Sequence, residues 1–190
     1  VDERSSPYRD PPNPGPENLK ELESLVEDEE AFLGVALDLD ADRVAAYFNG
    51  EWVSGDDLFC VFGQLFRDKV VASIDTDRKL EDFVDEVVYT RVGDPFVIDE
   101  TIRQNAVLSG EPNGHYCFPQ FVNYNSGILS ALILSCCNLE ELLHKVPNSF
   151  VAEDSVTFDS RDSALTRMEN FEDYVENSFE VVSRVDGVKF

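Results

Sequence analysis

Asp38-Leu39-Asp40-Ala41-Asp42-Arg43 follows directly on an apolar run, Phe32-Leu33-Gly34-Val35-Ala36-Leu37. In an extended stretch alternate side chains project to one side, so carboxylates at i, i+2 and i+4 converge on one spot. Like charges about 4 Å apart repel by roughly 1–4 kcal/mol per pair between water-like and surface-like dielectrics. A chain that builds such a cluster has use for a cation. Hard carboxylate oxygens with no His or Cys beside them suit Mg²⁺ better than Zn²⁺. An EF-hand needs D-x-D-x-D-G-x5-E; here Arg43 holds the Gly position and Asn49 the twelfth. From these residues alone, a solvated acidic turn stays open as the other reading.

The chain is acidic throughout. It carries 39 Asp and Glu against 15 Lys and Arg, a formal charge of −24. That balance argues against nucleic acid and anionic membrane as partners, since both need a basic surface. With 43% hydrophobic and 11% aromatic residues it still buries a core, so the acidity does not signal disorder. The acids are spread along the chain and Arg outnumbers Lys by ten to five. Dense, dispersed carboxylates of this kind fit a cytoplasmic protein of a salt-loving organism, where salt screens them. An acidic face for a basic partner is the alternative. Cys60, Cys117, Cys136 and Cys137 form no C-x-x-C pair, which fits a reducing compartment and does not fit zinc. The longest apolar stretch, Gly127 to Cys137, is too short to span a bilayer, and no signal peptide is evident.

Patterning predicts a mixed α/β fold. Residues 1–16 read as an irregular, Pro-rich lead-in. Leu19, Leu22, Leu25 and Val26 have helical spacing within Glu17 to Glu27, and Phe32 to Leu37 reads as a buried strand. Arg43 to Phe48 reads as a strand, Asn49-Gly50 as a hairpin turn, and Glu51 to Val53 as its partner. Ser54 caps a helix through about Phe66. Strands at Val70 to Ile74 and Val87 to Thr90 alternate with helices from Thr76 to about Asp85 and Pro95 to Gln104. Tyr116 to Val122 reads as a strand, Ile128 to Cys136 and Leu139 to Lys145 as helices. This alternation implies sheets flanked by helices. Phe150 to Phe158, a helix over Ser163 to Glu176, and Phe179 to Val185 make a last piece, with Asp186-Gly187 as a hairpin turn.

Five segments occur in a set order: Pro12-Asn13-Pro14-Gly15-Pro16-Glu17-Asn18-Leu19, Asp38 to Arg43, Thr90-Arg91-Val92-Gly93-Asp94, Gly110-Glu111-Pro112-Asn113-Gly114-His115, and Val185-Asp186-Gly187-Val188-Lys189. They resemble, in turn, the P-N-P-x-x-x-N-L stretch, the metal-binding loop, the T-K-V-G-D segment, the G-E-x-S-G-H sugar-recognition loop and the start of the last domain of the α-D-phosphohexomutases, the phosphomannomutase/phosphoglucomutase family. The resemblance implies that residues 1–55 close the second domain of such a protein. Residues 56–150 would form the third, and 151–190 would lead into the fourth. It also implies interconversion of hexose 1- and 6-phosphates through a phosphoserine and a bisphosphorylated sugar.

The same resemblance implies roles for single residues. Asp38, Asp40 and Asp42 would hold Mg²⁺, and Arg43 would lie near the transferring phosphate, where a planar guanidinium fits phosphate oxygens. Read bottom-up, Arg43 is otherwise a surface ion pair worth under about 1 kcal/mol. Glu111 and Asn113 would hydrogen-bond sugar hydroxyls, with Arg91 as a further substrate contact. Pro112-Asn113-Gly114 is also an ordinary turn signal, under which Glu111 is a solvated carboxylate. His115 would stand near the reacting sugar, or be a strand-edge His satisfied by backbone. Several positions depart from the family pattern: Leu39 for Gly, Arg91 for Lys, Asn113 for Ser, and Asn125-Ser126-Gly127 where an acidic D-G pair is usual. No Ser in the chain is followed by His, and no R-P-S-G-T-E-P loop occurs, so the family's nucleophile and phosphate clamp are expected outside these residues. A non-catalytic mutase-like binding protein is the alternative to an enzyme.

Overall fold

The computed structural model describes residues 19–149, 156–186 and 189. Helix α1, Lys20–Asp28, buries Val26 and ends where Glu30 takes a left-handed φ of 49°. The Ala31 N–H then bonds the Val26 carbonyl at 2.9 Å, the six-to-one closure of a left-handed helix cap. Three antiparallel strands follow: β1 Leu33–Leu37, β2 Val44–Phe48 and β3 Glu51–Val53, paired in the order β1-β2-β3. Asn49 and Gly50 both have positive φ, 52° and 85°, as a two-residue hairpin demands.

The pleat gives this sheet two different faces. Gly34, Tyr47 and Trp52 lie in register on one of them. That face meets α1: the Trp52 indole N–H donates to the Glu23 carboxylate, and a Cβ on Gly34 would lie 2.5 Å from Val26 Cγ2. Glycine is what lets the helix approach so closely. Leu33, Val35, Val44, Ala46, Phe48 and Val53 belong to the main core.

Ser54 caps α2, Gly55–Leu65, its Oγ accepting from the Asp57 N–H at 3.1 Å. Leu58 to Phe62 are all fully buried, so α2 is a core helix apolar around most of its girth. The second sheet contains β4 Lys69–Ser73, β5 Glu86–Thr90, β6 Leu108–Gly110 and β7 Tyr116–Cys117 in the order β5-β4-β6-β7. β5 and β6 run parallel to β4, and β7 antiparallel to β6. Val70 and Ala72 join the main core beside α2, whereas Val71 packs in a second cluster with Val97 of α3, Asp94–Gln104. Helices thus cover both faces. Helices α4 Gly127–Cys136, α5 Leu139–His144 and α6 Arg161–Ser178 complete the described residues. One core cluster takes in residues of both sheets, and Phe59, Phe62, Tyr116 and Phe118 meet edge-on inside it. Mixed α/β sheets flanked by helices are what the patterning predicts. Among the described residues no helix is long and apolar enough to cross a membrane.

Three elements differ from the sequence reading. Thr76 does not cap an α-helix. A short 3-10 turn, Arg78–Asp82, forms instead, capped by Asp77, and Thr76 is buried with its hydroxyl 3.4 Å from Ser73 Oγ. The strand expected over Tyr116 to Val122 stops at Cys117, because Pro119 has no N–H to extend a ladder and the chain turns there, the Phe121 and Val122 N–H groups both bonding the Phe118 carbonyl. Strand β6 is unpredicted, a Leu-Ser-Gly triplet too short to show period-two patterning. Residues 1–18 and 150–155 lie outside the described residues, and with them the Pro12 to Asn18 segment, part of the piece beginning at Phe150, and Gly187 of the last turn.

Candidate functional site

In β4 and β6 the chain leaves the carboxyl edge in opposite directions, β4 toward β5 and β6 toward β7. Open α/β sheets bind ligands in the crevice outside such a switch point. The Glu111–His115 loop leaves β6 at that crevice. Gly114, at φ +99°, lets it turn: a Cβ there would lie 2.6 Å from the Val44 carbonyl oxygen. The Glu111 N–H bonds the His115 carbonyl at 2.9 Å, and the Gly114 N–H bonds the Glu111 carbonyl at 3.2 Å.

The loop between β1 and β2 lies against it. Val44 N–H bonds the Gly114 carbonyl at 3.1 Å, and Arg43 forms an antiparallel bridge with His115. The N-terminus of α4 braces the other side, with the Gly127 N–H on the Ala41 carbonyl at 2.9 Å. Within this loop one oxygen each of Asp38, Asp40 and Asp42 lie within 4.8 Å of one another. They converge by a bend and not by the extended alternation expected. Ala41 takes a φ of 60° and its N–H bonds the Asp38 carbonyl at 3.3 Å. Leu39, in the place usual for Gly, needs no left-handed φ and lies 77% exposed. Burial, with the neighbouring Asp42 carboxylate adding to it, pushes the Asp38 carboxyl above its ordinary range.

The two loops share a continuous polar chain. Arg43 N–H bonds Asp38 Oδ1 at 3.2 Å, and Arg43 Nε approaches Asp38 Oδ2 at 3.6 Å. The Nε–H donates to His115 Nε2 at 3.0 Å. His115 Nδ1 lies 3.0 Å from Glu111 Oε2, and the Gly93 N–H donates to Glu111 Oε1 at 2.8 Å. These partners assign the neutral imidazole a proton on Nδ1. Asp42 Oδ1 stands 3.4 Å from His115 Nε2. Glu111 is 1% exposed. Burial alone would raise its pKa, but the bonds from His115 and Gly93 outweigh burial and hold it below the usual carboxylate range. Burial lowers that of His115, but the Glu111 hydrogen bond and the charges of Asp42 and Glu111 together outweigh burial and the Arg43 charge, so the imidazole is pushed up.

The structure therefore brings Asp38, Asp40, Asp42, Arg43, Glu111 and His115 together. Glu111 faces inward here, with both oxygens engaged by protein. Asn113 is exposed at the tip of its loop, its Oδ1 accepting from the His115 N–H at 3.3 Å. Arg91 lies apart from this chain of contacts: its guanidinium sits 5.6 Å from the Phe96 ring centroid, in a cleft of about 380 Å³ shared with Asp99, Glu100 and Arg103.

Two supports escaped the sequence reading. One is the Gly93 N–H on Glu111, which nothing in a T-R-V-G-D string announces. The other is Asn125, 4% exposed, whose Nδ2 donates to Asp94 Oδ1 at the start of α3 while its own Oδ1 is buried without a protein partner. A carboxylate at 125 would set like charges against each other there; the amide donates instead. The capping signal of Ser126, which accepts from the Leu129 N–H at 3.2 Å, could have placed Asn125 beside the site.

Three hard oxygens fit a small divalent cation, since an octahedral shell at about 2.1–2.4 Å from the metal spans about 4.2–4.8 Å across.

Residues 54–150 match the family model described as phosphoglucomutase/phosphomannomutase, alpha/beta/alpha domain III. A probable phosphoglucosamine mutase of Methanothermobacter thermautotrophicus is 33% identical over 96% of this chain and 43% of its own length. One from Pyrococcus horikoshii is 31% identical over 93% of this chain and 43% of its own. The chain spans less than half the length of these curated relatives. Among solved structures, a putative phosphomannomutase of Thermus thermophilus superposes with a TM-score of 0.62 at 25% identity, over 71% of this chain and 35% of that one. A phosphoglucomutase/phosphomannomutase family protein of Burkholderia thailandensis gives 0.66 at 22% identity, over 73% of this chain and 34% of that one, a likeness of fold.

Proposed function

The chain belongs to the phosphoglucomutase/phosphomannomutase family, and on that premise we propose that it supplies the metal-binding and sugar-recognition loops of a phosphohexomutase. The protein containing it would interconvert a hexose 1-phosphate and the 6-phosphate by way of a phosphoserine and a bisphosphorylated sugar. The relatives are described as phosphoglucosamine mutases, which favours a glucosamine phosphate over mannose or glucose phosphate. The observation that carries this reading is the contact of the two loops through Arg43 and His115. It sets three carboxylates and the Glu111–His115 turn against one another at the carboxyl end of a sheet.

Phosphoryl transfer is mostly positioning and charge neutralisation. Mg²⁺ held by Asp38, Asp40 and Asp42 would supply that neutralisation. Arg43 would bind phosphate oxygens with its planar fork. His115, oriented by Glu111, would hold or move a proton at Nε2 near the reacting hydroxyl. Asn113 and Glu111 would bind sugar hydroxyls, Glu111 after turning outward from its buried position, and Arg91 would add a charge at the edge. Residues 1–55, 56–150 and 151–190 would fall to three successive domains of the parent protein.

The test is a mutase assay with glucosamine, mannose and glucose 6-phosphates on the longer polypeptide that carries this chain. Turnover should be fastest with glucosamine 6-phosphate and fall by at least about a hundredfold in Asp40→Asn, on the scale of removing one electrostatic stabiliser of a transition state. Full activity in Asp40→Asn would remove the acidic loop from the mechanism.

A further inference from the structure

We propose that the carboxyl end of β4 carries a preformed seat for a primary ammonium group, and that the segment ending at Lys189 docks reversibly on the sheet by filling it. None of the contacts of this seat involves Asp38, Asp40 or Asp42, so the two sites stand or fall separately.

Three acceptors converge on one nitrogen. Lys189 Nζ donates to the Ile74 carbonyl at 2.9 Å and to the Thr76 carbonyl, and it stands 4.6 Å from the centroid of the Tyr89 ring. An ammonium has three N–H donors, and two carbonyls with the negative face of an aromatic ring match that number. A compact point charge fits this arrangement; a planar guanidinium fork does not.

Each acceptor is held by the body of the protein and not by Lys189. The Ile74 N–H bonds the Thr90 carbonyl at 2.9 Å, which ties this residue to β5. Thr76 is buried, with its N–H on the Ser73 carbonyl at 3.1 Å, and the next N–H, of Asp77, donates to Asp56 Oδ1 at 2.8 Å. The Tyr89 hydroxyl is fixed by donating to Glu81 Oε1 at 2.8 Å. The seat is therefore built before the lysine enters, and little ordering is lost in filling it. Asp56, Asp75, Asp77 and Glu81 surround it with negative charge. Burial nonetheless draws the Lys189 ammonium below its ordinary pKa, more than those carboxylates offset. A cation held against that desolvation is one that can leave.

Docking shapes the clefts beside the seat. The Lys189 backbone forms an antiparallel bridge with Ser183, and its carbonyl accepts from the Val182 N–H at 2.8 Å. The seated ammonium thus brings that stretch of chain to the sheet with it. Val182 and Ser183 wall a cleft of about 420 Å³ with Glu81, Val87 and Tyr89. Val185 walls the cleft that holds Arg91 and Phe96. Release of Lys189 would open both clefts.

The experiment is NMR on the 190-residue chain. The Asp75 and Asp77 amides report on the Ile74 and Thr76 carbonyls, and the Val182 and Ser183 amides report on docking. In Lys189→Ala the first pair should shift, and the order parameters of the second should fall from about 0.85 to below about 0.6. Lys189→Arg should do the same, because it keeps the charge and loses the shape. Arg184→Met removes an equal charge from the same segment, at a side chain paired with Glu176, and should leave all four amides as in the unmutated chain. Methylammonium chloride added to Lys189→Ala should return the Asp75 and Asp77 amides saturably toward their unmutated positions, while Val182 and Ser183 stay mobile. Sodium chloride at the same ionic strength should not. Unchanged order parameters in Lys189→Ala, or an equal fall in Arg184→Met, overturn docking through the seat. Methylammonium acting no differently from sodium, or Lys189→Arg docking as the unmutated chain does, overturns its fit to an ammonium.

Discussion

The Nε–H of Arg43 donates to the imidazole Nε2 of His115 across 3.0 Å, joining residues 72 positions apart in the chain. Through this bond the acidic loop between β1 and β2 and the loop after β6 become one polar unit. His115 passes the connection to Glu111, and Glu111 to the backbone of Gly93. Each member of the relay is satisfied by the next, so a change at one end disturbs groups buried at the other.

The backbone contact between the loops depends on Gly114. At φ +99° any side chain is strained, and a Cβ would press on the Val44 carbonyl oxygen at 2.6 Å. Gly114→Ala should destabilise the chain by about 1–3 kcal/mol and separate the two loops. Urea unfolding gives the first, and loss of the hydrogen-exchange protection of Val44 N–H the second.

Glu111 sets an acid limit. Its folded pKa lies below the ordinary carboxylate value, about 4.3 in the unfolded chain. A depressed carboxylate contributes stability that is complete above the unfolded pKa and is lost as pH falls through the folded one. Between about pH 5 and pH 3 the parent should therefore lose more stability than Glu111→Gln, whose side chain does not titrate. Parallel curves for the two proteins across that window would exclude the carboxylate as the cause.

The four cysteines are free, and their surroundings separate them. Burial pushes the Cys60 thiol up to about 12 and the Cys117 thiol up to about 11, whereas Cys136 is exposed. Only thiolates react readily. An alkylating reagent at pH 8 should label Cys136 in the folded chain and reach Cys60 and Cys117 only after denaturation, as peptide mass mapping will report.

With 39 acidic groups against 15 basic ones, self-repulsion should weaken the fold at low ionic strength. The Debye length shrinks to about 3 Å at 1 M salt, so the thermal midpoint should climb as KCl rises from millimolar to molar. A flat midpoint would remove the salt-loving interpretation.

Much of the fold was legible because local signals and burial agree. Asn49-Gly50 places the hairpin, Ser54 starts α2, and the apolar run before Asp38 is β1. Where the structure departs, a long-range contact decides. β6 exists because Leu108 and Ser109 find β4 in register, not because three residues carry a pattern. Thr76 looks like a helix cap but is buried beside Ser73. The acidic cluster was legible as a convergence, though Ala41, and not an extended strand, produces it. The inward-facing state of Glu111 was not legible at all, since it depends on a backbone N–H eighteen residues away in sequence.

The most direct measurement is chemical-shift mapping of glucosamine 6-phosphate binding to the 190-residue chain with Mg²⁺ present. Amides of 38–43 and of 111–115 should shift together with one midpoint, without sustained turnover, because no Ser in the chain is followed by His as the proposed phosphoserine loop requires. Perturbation confined to the Arg91, Phe96 and Arg103 cleft, with both loops unmoved, would contradict the account.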